Sequence, residues 1–288
     1  MLFDIAGNAF SSLGNISPSV VYQPQQVFGT GLTIWYDFSD KTVLFSNTAA
    51  TINIVNNFDP VLHVNNKGTG GSDFDLRNYV NRANLVNPVS TTSNIFTNNV
   101  LNTNKGVTIF TGNGFTHLRS KSGLTFSTTS SFTHSTVFRY GGPGVTQYVW
   151  TNTTVGFISF GGYIISRLSN TITVLLNSST SYAFTVPSPT RFDNYHIITV
   201  AVNQNNLKVY YDDAIITSAT LSTNIHPVTA AQPAANCRIS INENFGGVNE
   251  AVTNTNGYTQ ELMISRETTL TDDQVNKLHQ YFKTKYNI

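Results

Sequence analysis

From Leu32 onward the chain consists largely of short segments whose residues are uniformly apolar or alternate between apolar and polar, separated by turn-forming residues. Segments of this length and spacing are typical of sandwich strands and not of βαβ units. The segments predicted to be strands are LTIWYDF, GVTIF, STVFRY, TQYVW, VGFISF, YIISRL, TITVLL, HIITVAV, LKVYY, CRISI and QELMIS. The pattern therefore predicts an all-β fold.

The clearest local pattern predicts a β-hairpin. His196–Val202 and Leu207–Tyr211 are strand-like, and the polar residues 203–206 join them. Asp212 and Asp213 then predict a second tight turn, because short polar side chains favour turns. Three consecutive strands are expected from residue 196 onward.

One helix is predicted, at the end of the chain. Thr271 and Gln274 have the spacing of a capping box, in which each side chain satisfies a backbone N–H of the other residue. The apolar residues that follow share one helical face: Val275, Leu278, Tyr281 and Phe282. We expect this helix to cover the sandwich as a lid.

Residues 1–30 differ from the rest of the chain. They mix Gly, Ser, Pro and Gln without a sustained period, which predicts an extended N-terminal arm. Residues 31–288 are predicted to form a single domain, since all-β sandwiches can reach this size. We expect the arm to dock on a neighbouring subunit, because it has no core of its own. Residues 47–104 are Asn-rich and predict long surface loops.

The order of these segments resembles the concanavalin A-like lectin/glucanase superfamily, in particular its laminin-G-like modules. The resemblance covers residues 32–288 and implies a two-sheet antiparallel jelly-roll sandwich with a short C-terminal helix. Fold alone does not imply function. The similar segments, in chain order, are LTIWYDFSD, GVTIFTGNGFTHLRS, NYHIITVAVNQNNLKVYYDDAII, CRISINENFGG and GYTQELMISRETTLTDDQVNKLHQYFKTKYNI.

Charge and composition exclude several kinds of partner. Charged residues make up 11% of the chain and the net charge is +1, without the basic stripe that nucleic-acid binding needs. No apolar run is long enough to span a bilayer, and the first residues lack the features of a signal peptide. The single cysteine, Cys237, cannot form an intramolecular disulfide. We expect no nucleic-acid partner, no membrane insertion and no secretion signal.

Catalytic carboxylates are not evident in the sequence. The enzymes of this superfamily resemble laminarinases, whose motif E-x-D-x-x-E places three acids on one strand. None of the four glutamates, Glu243, Glu250, Glu261 and Glu267, lies in that arrangement. The six histidines are scattered without a zinc-binding spacing. The chain is therefore predicted to be non-enzymatic, with no catalytic residues.

Asp73 and Asp75 form the one candidate metal site. Alternate carboxylates in the Gly-rich segment GGSDFDLRN can face one cation, and calcium is the cofactor that fits. Two carboxylates fall short of the six to eight oxygens that calcium prefers. The alternative interpretation is a pair of solvated loop acids, or a strand-end partner for Arg77.

Aromatic residues are concentrated between Tyr140 and Tyr163. Exposed aromatic faces stack on sugar rings, so Tyr148, Trp150 and Tyr163 are the candidate carbohydrate-binding residues. Strand alternation would place Tyr148 and Trp150 on one face. If that face points inward, these residues belong to the core, which aromatic side chains often dominate.

Three functions fit the sequence. The first is a structural or host-facing protein of a virus or phage particle, such as a capsid decoration, fibre or tail component. It would attach to itself and to other virion proteins through residues 1–30, and could also bind host-surface glycans. It would be found in the virion and, during assembly, in the host cytoplasm. The alternative is a free carbohydrate-binding, lectin-like module, and the least favoured is a glycoside hydrolase.

Overall fold

The computed structural model describes residues 22–56, 59–79, 94–98, 106–110, 117–121, 124, 131–140, 147–154, 163–168, 170–177, 180–186, 194–220, 237–240, 257–266 and 268–288. The helices are α1 (Pro24–Phe28) and α2 (Asp272–Tyr286), with 3-10 turns at Gly29–Gly31, Lys41–Val43 and Ser72–Phe74. The strands are β1 (Leu32–Asp37), β2 (Leu44–Phe45), β3 (His63–Val64), β4 (Leu76–Tyr79), β5 (Asn94–Asn98), β6 (Gly106–Phe110), β7 (His117–Ser120), β8 (Phe132–Tyr140), β9 (Gln147–Thr154), β10 (Tyr163–Leu168), β11 (Thr171–Asn177), β12 (Thr180–Thr185), β13 (Tyr195–Asn203), β14 (Asn206–Tyr211), β15 (Ala214–Thr220), β16 (Cys237–Ser240) and β17 (Gly257–Arg266).

These strands form two antiparallel sheets, which confirms the predicted all-β sandwich of the jelly-roll type. Within the described ranges, the first sheet has the order β15-β14-β13-β8-β17-β6-β5, and β1 also pairs with β17. The second sheet has the order β12-β11-β10-β9-β16-β7-β4-β3-β2. Several neighbouring strands are distant in the chain, such as β8 and β17 in the first sheet and β9 and β16 in the second. Both sheets therefore depend on long-range strand pairing.

Strand β13, in the interior of the first sheet, is buried on both faces. Ile198, Val200 and Val202 of β13 pack in the core between the two sheets. Ile197 and Ala201 of the same strand pack in a second core, beneath α2. This double coverage explains why HIITVAV is almost continuously apolar, since a strand with one solvated face would alternate.

Helix α2 covers the outer face of the first sheet, as predicted. Thr271 accepts a hydrogen bond from the backbone N–H of Gln274, and the Gln274 side chain accepts one from the backbone N–H of Thr271. Leu278 and Phe282 are fully buried against the sheet. The capping box therefore starts the helix where its apolar face meets the sheet.

Part of the predicted arm belongs to the domain. Residues 24–28 form α1, and Val27 and Phe28 are buried in the core beneath α2. The Gln274 side chain donates a hydrogen bond to the carbonyl oxygen of Val27. Residues 24–28 come before the predicted domain start at residue 31, and apolar burial joins them to the core beneath α2. Residues 1–21 lie outside the described residues.

The predicted hairpin is confirmed. β13 and β14 pair from Ile198↔Tyr211 to Asn203↔Asn206, with Gln204 and Asn205 in the turn. Gln204 has a φ of 51°, in the left-handed region that such tight turns require. In the described part of the chain, no helix has the length and apolar character needed to cross a bilayer.

Candidate functional site

The three predicted carbohydrate-binding residues lie on adjacent strands of the second sheet. Tyr148 and Trp150 are on β9, and Tyr163 is on β10. Trp150 is opposite Ile165 and Tyr148 is opposite Ser166, with a shift of register between these pairs. The shift interrupts the strict alternation on which a shared face for Tyr148 and Trp150 depends. Their side chains are not among those the structure describes, so the assignment stays a prediction.

The two predicted metal ligands have different surroundings. Asp73 is exposed and pairs with Lys121 at 2.9 Å. Asp75 is buried, accepts the backbone N–H of Asn66 at 2.8 Å, and lies 3.4 Å from Nε2 of His63. The structure thus gives each carboxylate a separate protein partner, and Arg77 is not among the partners it shows for either.

A calcium site at Asp73 and Asp75 stays a prediction. Across the described ranges, no group of three or more His, Cys, Asp or Glu side chains is placed to hold a metal ion. The metal candidates lie just before β4 and the sugar candidates lie on β9 and β10 of the same sheet; they are not neighbours, because β7 and β16 lie between β4 and β9.

The densest described cluster of charged groups lies elsewhere, under the last turn of α2. We call Asp37, Glu261 and Lys285 the buried triad. Nζ of Lys285 donates to Oδ2 of Asp37 at 2.8 Å and to Oε2 of Glu261 at 2.7 Å. Asp37 is 3% exposed and Glu261 is 0% exposed. One ammonium group therefore bridges two carboxylates that are withdrawn from solvent.

Aromatic side chains surround Glu261 and donate hydrogen bonds to it. Nε1 of Trp35 donates to Oε1 at 2.6 Å, and the Tyr281 hydroxyl donates to the same oxygen at 3.0 Å. The Tyr286 hydroxyl donates to Oε2 at 2.6 Å. With Lys285, four donors satisfy this carboxylate, as a buried charge requires.

Both carboxylate oxygens of Asp37 also accept hydrogen bonds. Its Oδ1 accepts the backbone N–H of Ser39 at 3.1 Å and the Ser39 hydroxyl at 2.6 Å. Its Oδ2 accepts from Lys67 at 3.1 Å as well as from Lys285. Lys67 also pairs with Asp40 at 2.8 Å. The triad thus extends toward the surface through Lys67.

The loop that carries Lys67 forms hydrogen bonds along the edge of β1 that does not pair with β17. The backbone N–H groups of Lys67 and Gly70 donate to the carbonyl oxygens of Trp35 and Thr33, both at 2.9 Å. The side-chain oxygen of Asn66 accepts the N–H of Trp35 at 2.8 Å. The loop satisfies the edge groups that a neighbouring strand would otherwise pair, and it brings Lys67 to Asp37.

The two carboxylates differ in their protonation equilibria. Burial raises the pKa of Glu261, and Asp37 raises it further against the opposing effect of Lys285. Burial also favours the neutral form of Asp37, but Lys285 and Lys67 outweigh that effect and lower its pKa. Asp37 is therefore the anion of the pair, and Glu261 is the group that takes up a proton more readily.

The buried triad does not have the form of a glycosidase site. A retaining glycosidase needs an acid and a nucleophile that a sugar can reach in a cleft. Glu261 has no exposed surface, and its oxygens are occupied by donors from the chain itself. The contacts of the triad join β1, β17 and α2 to one another.

In the sequence, Glu261 is only one of four glutamates that do not form the catalytic motif. Nothing along the chain associates it with Asp37 or Lys285. The available signal was a lone acidic residue in each of two apolar strands, LTIWYDF and QELMIS. A buried charge of this kind predicts a partner, but it does not identify one. Lys285 is 248 positions from Asp37, and only the packing of α2 brings them together.

No protein-family model matches the sequence, and no curated protein matches it significantly. Several solved structures are similar to the chain in fold. One is domain 4 of AbnA, a GH43 extracellular arabinanase from Geobacillus stearothermophilus, in complex with arabinotriose. The two share 18% identity and a TM-score of 0.51, over 86% of this chain and 98% of that one.

Two further similar structures align less closely. The binding domain of botulinum neurotoxin DC in complex with SialylT has 12% identity and a TM-score of 0.47, over 75% of this chain and 47% of that one. The heptameric SAP-like pentraxin of Limulus polyphemus has 15% identity and a TM-score of 0.41, over 55% and 73%. The similarity to the arabinanase domain supports the fold assignment: this chain is a two-sheet antiparallel β-sandwich of the jelly-roll type.

Proposed function

We propose that this chain is a non-catalytic β-sandwich module that binds carbohydrate. One observation carries the proposal: the chain is similar in fold to nearly all of arabinanase domain 4, a structure that contains arabinotriose. The two carboxylates of the buried triad agree with a non-catalytic role, because they are buried and bonded to donors from the chain itself. The candidate contact residues are Tyr148, Trp150 and Tyr163.

The binding test starts from the sugar in the similar structure. Isothermal titration of the purified chain with arabinotriose, followed by a panel of other oligosaccharides, is expected to give a saturable signal for at least one of them. A chain that binds no member of the panel, under conditions in which its fold is verified by circular dichroism, contradicts the proposal.

Substitutions of the three candidate aromatic residues test where the sugar binds. Tyr148→Ala, Trp150→Ala and Tyr163→Ala are each expected to weaken binding about tenfold or more, since aromatic anchors carry most of the energy of such contacts. Tyr182→Ala is the matched control, because Tyr182 is an aromatic residue of the same sheet on β12. Loss of binding in the control but not in the three variants would move the site to the β12 edge.

The biological setting we propose for the module is a virus or phage particle, with attachment through the N-terminal residues. Its support is the low charge, the Asn-rich and Thr-rich composition, and the mixture of Gly, Ser, Pro and Gln without a sustained period in residues 1–30. Light scattering of the whole chain is expected to show a homo-oligomer, and deletion of residues 2–21 is expected to give a monomer. A monomeric whole chain contradicts the arm-mediated assembly but leaves the sugar proposal standing.

A further inference from the structure

The buried triad holds an amine and a carboxyl group in contact, with a second carboxyl group beside them. Nζ of Lys285 is 2.8 Å from Oδ2 of Asp37 and 2.7 Å from Oε2 of Glu261. In water, an ammonium and a carboxylate remain an ion pair because solvent stabilises both charges. Burial reduces that solvation, and Lys285 directly contacts Glu261, a carboxylate that can exchange a proton with the amine. The triad therefore places the two reactants of an amide bond, and a carboxylate that can carry protons between them, in direct contact.

We propose that Lys285 and Asp37 condense into an intramolecular amide, with Glu261 as the group that carries the protons. The neutral amine of Lys285 attacks Cγ of Asp37 and forms the C–N bond. The C–Oδ2 bond then breaks, and Oδ2 leaves as water. Two protons pass from Nζ to Oδ2 through Glu261, which begins and ends as a carboxylate. The ammonium and the carboxylate become one neutral amide and one water, so no oxidant or other reactant is needed.

The remaining contacts of Asp37 suit this reaction. The backbone N–H and the hydroxyl of Ser39 both donate to Oδ1, the oxygen that carries negative charge in the tetrahedral intermediate. The departing oxygen is Oδ2, to which both lysines donate. The two oxygens of Asp37 are thus distinguished before the reaction begins.

Glu261 is equipped to carry a proton. It contacts the amine directly, and Trp35, Tyr281 and Tyr286 fix its orientation through their hydrogen bonds. The raised pKa of Glu261, caused first by burial, lowers the cost of its transient protonation.

Geometry selects Lys285 over Lys67 as the nucleophile. Lys67 also reaches Oδ2 of Asp37, at 3.1 Å, but its second carboxylate partner is Asp40, whose side chain is 28% exposed. Lys67 has no contact with Glu261 among those the structure shows. Its charge stabilises Asp37, whereas Lys285 touches both the electrophile and the proton carrier.

The amide would join the end of β1 to the last turn of α2. The linked residues are 248 positions apart, so the covalent loop encloses almost the whole domain. Such a loop restricts the unfolded chain and resists mechanical separation of the sheet from its covering helix.

Intact-mass spectrometry of the purified whole chain tests the proposal without any variant. After incubation at 37 °C and neutral pH, the mass is expected to be lower than the sequence mass by one water molecule. Tryptic digestion is then expected to yield residues 284–288 joined to the peptide that ends at Lys41, because trypsin does not cleave after an acylated lysine. An unchanged mass, or a link that maps to Lys67, overturns the proposal.

Variants identify the role of each group. Lys285→Arg and Asp37→Ala are expected to restore the full sequence mass, and Glu261→Gln is expected to slow the loss of water by at least tenfold. Lys277→Arg is the matched control on the same helix and is expected to retain the loss. Loss of water at the normal rate in folded Glu261→Gln, with folding verified by circular dichroism, contradicts the assignment of Glu261 as proton carrier.

Discussion

Asp37 is the one charged residue of β1 and Glu261 is the one acidic residue of β17, and most neighbouring side chains on both strands are buried. Each would be strongly destabilising if left alone, because a buried charge without a partner loses its solvation. Lys285 pairs with both, Lys67 also pairs with Asp37, and the indole and phenol groups complete the hydrogen bonds of Glu261. At the residue scale, the attachment of α2 therefore depends on one lysine.

Substitution of that lysine tests this dependence. Lys285→Met keeps most of the side-chain volume but leaves the buried Glu261 without a cation and Asp37 with Lys67 alone, so we expect the free energy of unfolding to fall by at least about 3 kcal/mol. Urea denaturation followed by circular dichroism measures the change. Lys277→Met, which removes only an exposed pair with Asp273, should leave the stability nearly unchanged. Equal effects of the two substitutions would contradict this account.

Two buried histidines predict a loss of stability in mild acid. Burial lowers the pKa of His134 to about 3 and that of His279 to about 4. The unfolded chain takes up protons near the ordinary histidine value of about 6.5, whereas the folded chain does not. Each histidine thus contributes stability above about pH 6.5 that is lost progressively as the pH falls toward its folded pKa. The loss approaches about 1.4 kcal/mol per pH unit for each histidine.

The measurement is the free energy of unfolding between pH 7.5 and 5.5 for the wild type and for His134→Leu. The variant should lose stability less steeply than the wild type, because only His279 of this pair still titrates. The difference between the two slopes isolates His134 from the carboxylates. Parallel curves would mean that His134 binds protons equally in the folded and unfolded protein and that burial does not lower its pKa.

At the scale of elements, β1 shows how a short strand is held on both sides. β17 pairs with one edge, and the loop from Asn66 to Gly70 supplies hydrogen bonds to the other. Gly68 allows this approach, since a β-carbon there would lie 2.4 Å from the carbonyl oxygen of Thr33. This glycine-rich segment, which lies within the predicted surface loops of residues 47–104, therefore covers a strand edge.

Gly68→Ala should destabilise the protein by about 1–3 kcal/mol, because the loop must move away from β1 and lose backbone hydrogen bonds. Chemical denaturation measures the change. Ser72→Ala, at an exposed position of the same loop, is the control and should alter stability by less than about 0.5 kcal/mol. A stable Gly68→Ala variant would show that the loop adjusts without leaving the strand.

On the scale of the whole molecule, the first sheet lies between two cores. The second sheet packs on one of its faces, and α1 and α2 pack on the other. Residues of β13 contribute to both cores in alternation, so neither core can be lost without exposing this strand. We therefore expect the sheets and the terminal helix to unfold together.

Phe282→Ala tests this coupling. Phe282 lies on the face of α2 that packs against the sheet and is fully buried. Its truncation should lower the free energy of unfolding by about 3–5 kcal/mol. Far-ultraviolet circular dichroism and tryptophan fluorescence should shift to the same lower denaturation midpoint, as expected for one cooperative transition. Thr284→Ala, exposed on the same helix, is the control. Loss of helical signal at a midpoint where the sheets remain folded would separate the two cores.

The sequence by itself determined the all-β class, the hairpin of β13 and β14, and the capped helix α2. These features depend on interactions within a few residues: strand alternation, turn-forming side chains, and the reciprocal bonds of Thr271 and Gln274. It did not determine where the domain begins. Val27 and Phe28 lie in a segment without a clear pattern, and their burial depends on a helix some 250 positions away.

Only the tertiary structure decided the meeting of Asp37, Glu261 and Lys285. Their side chains come from β1, β17 and α2, and strand pairing and helix packing set their distances. Periodicity along the chain carries no information about which distant strand will be the neighbour. Sequence therefore determines which residues are charged within apolar segments, and the fold alone determines which of those charges share a site.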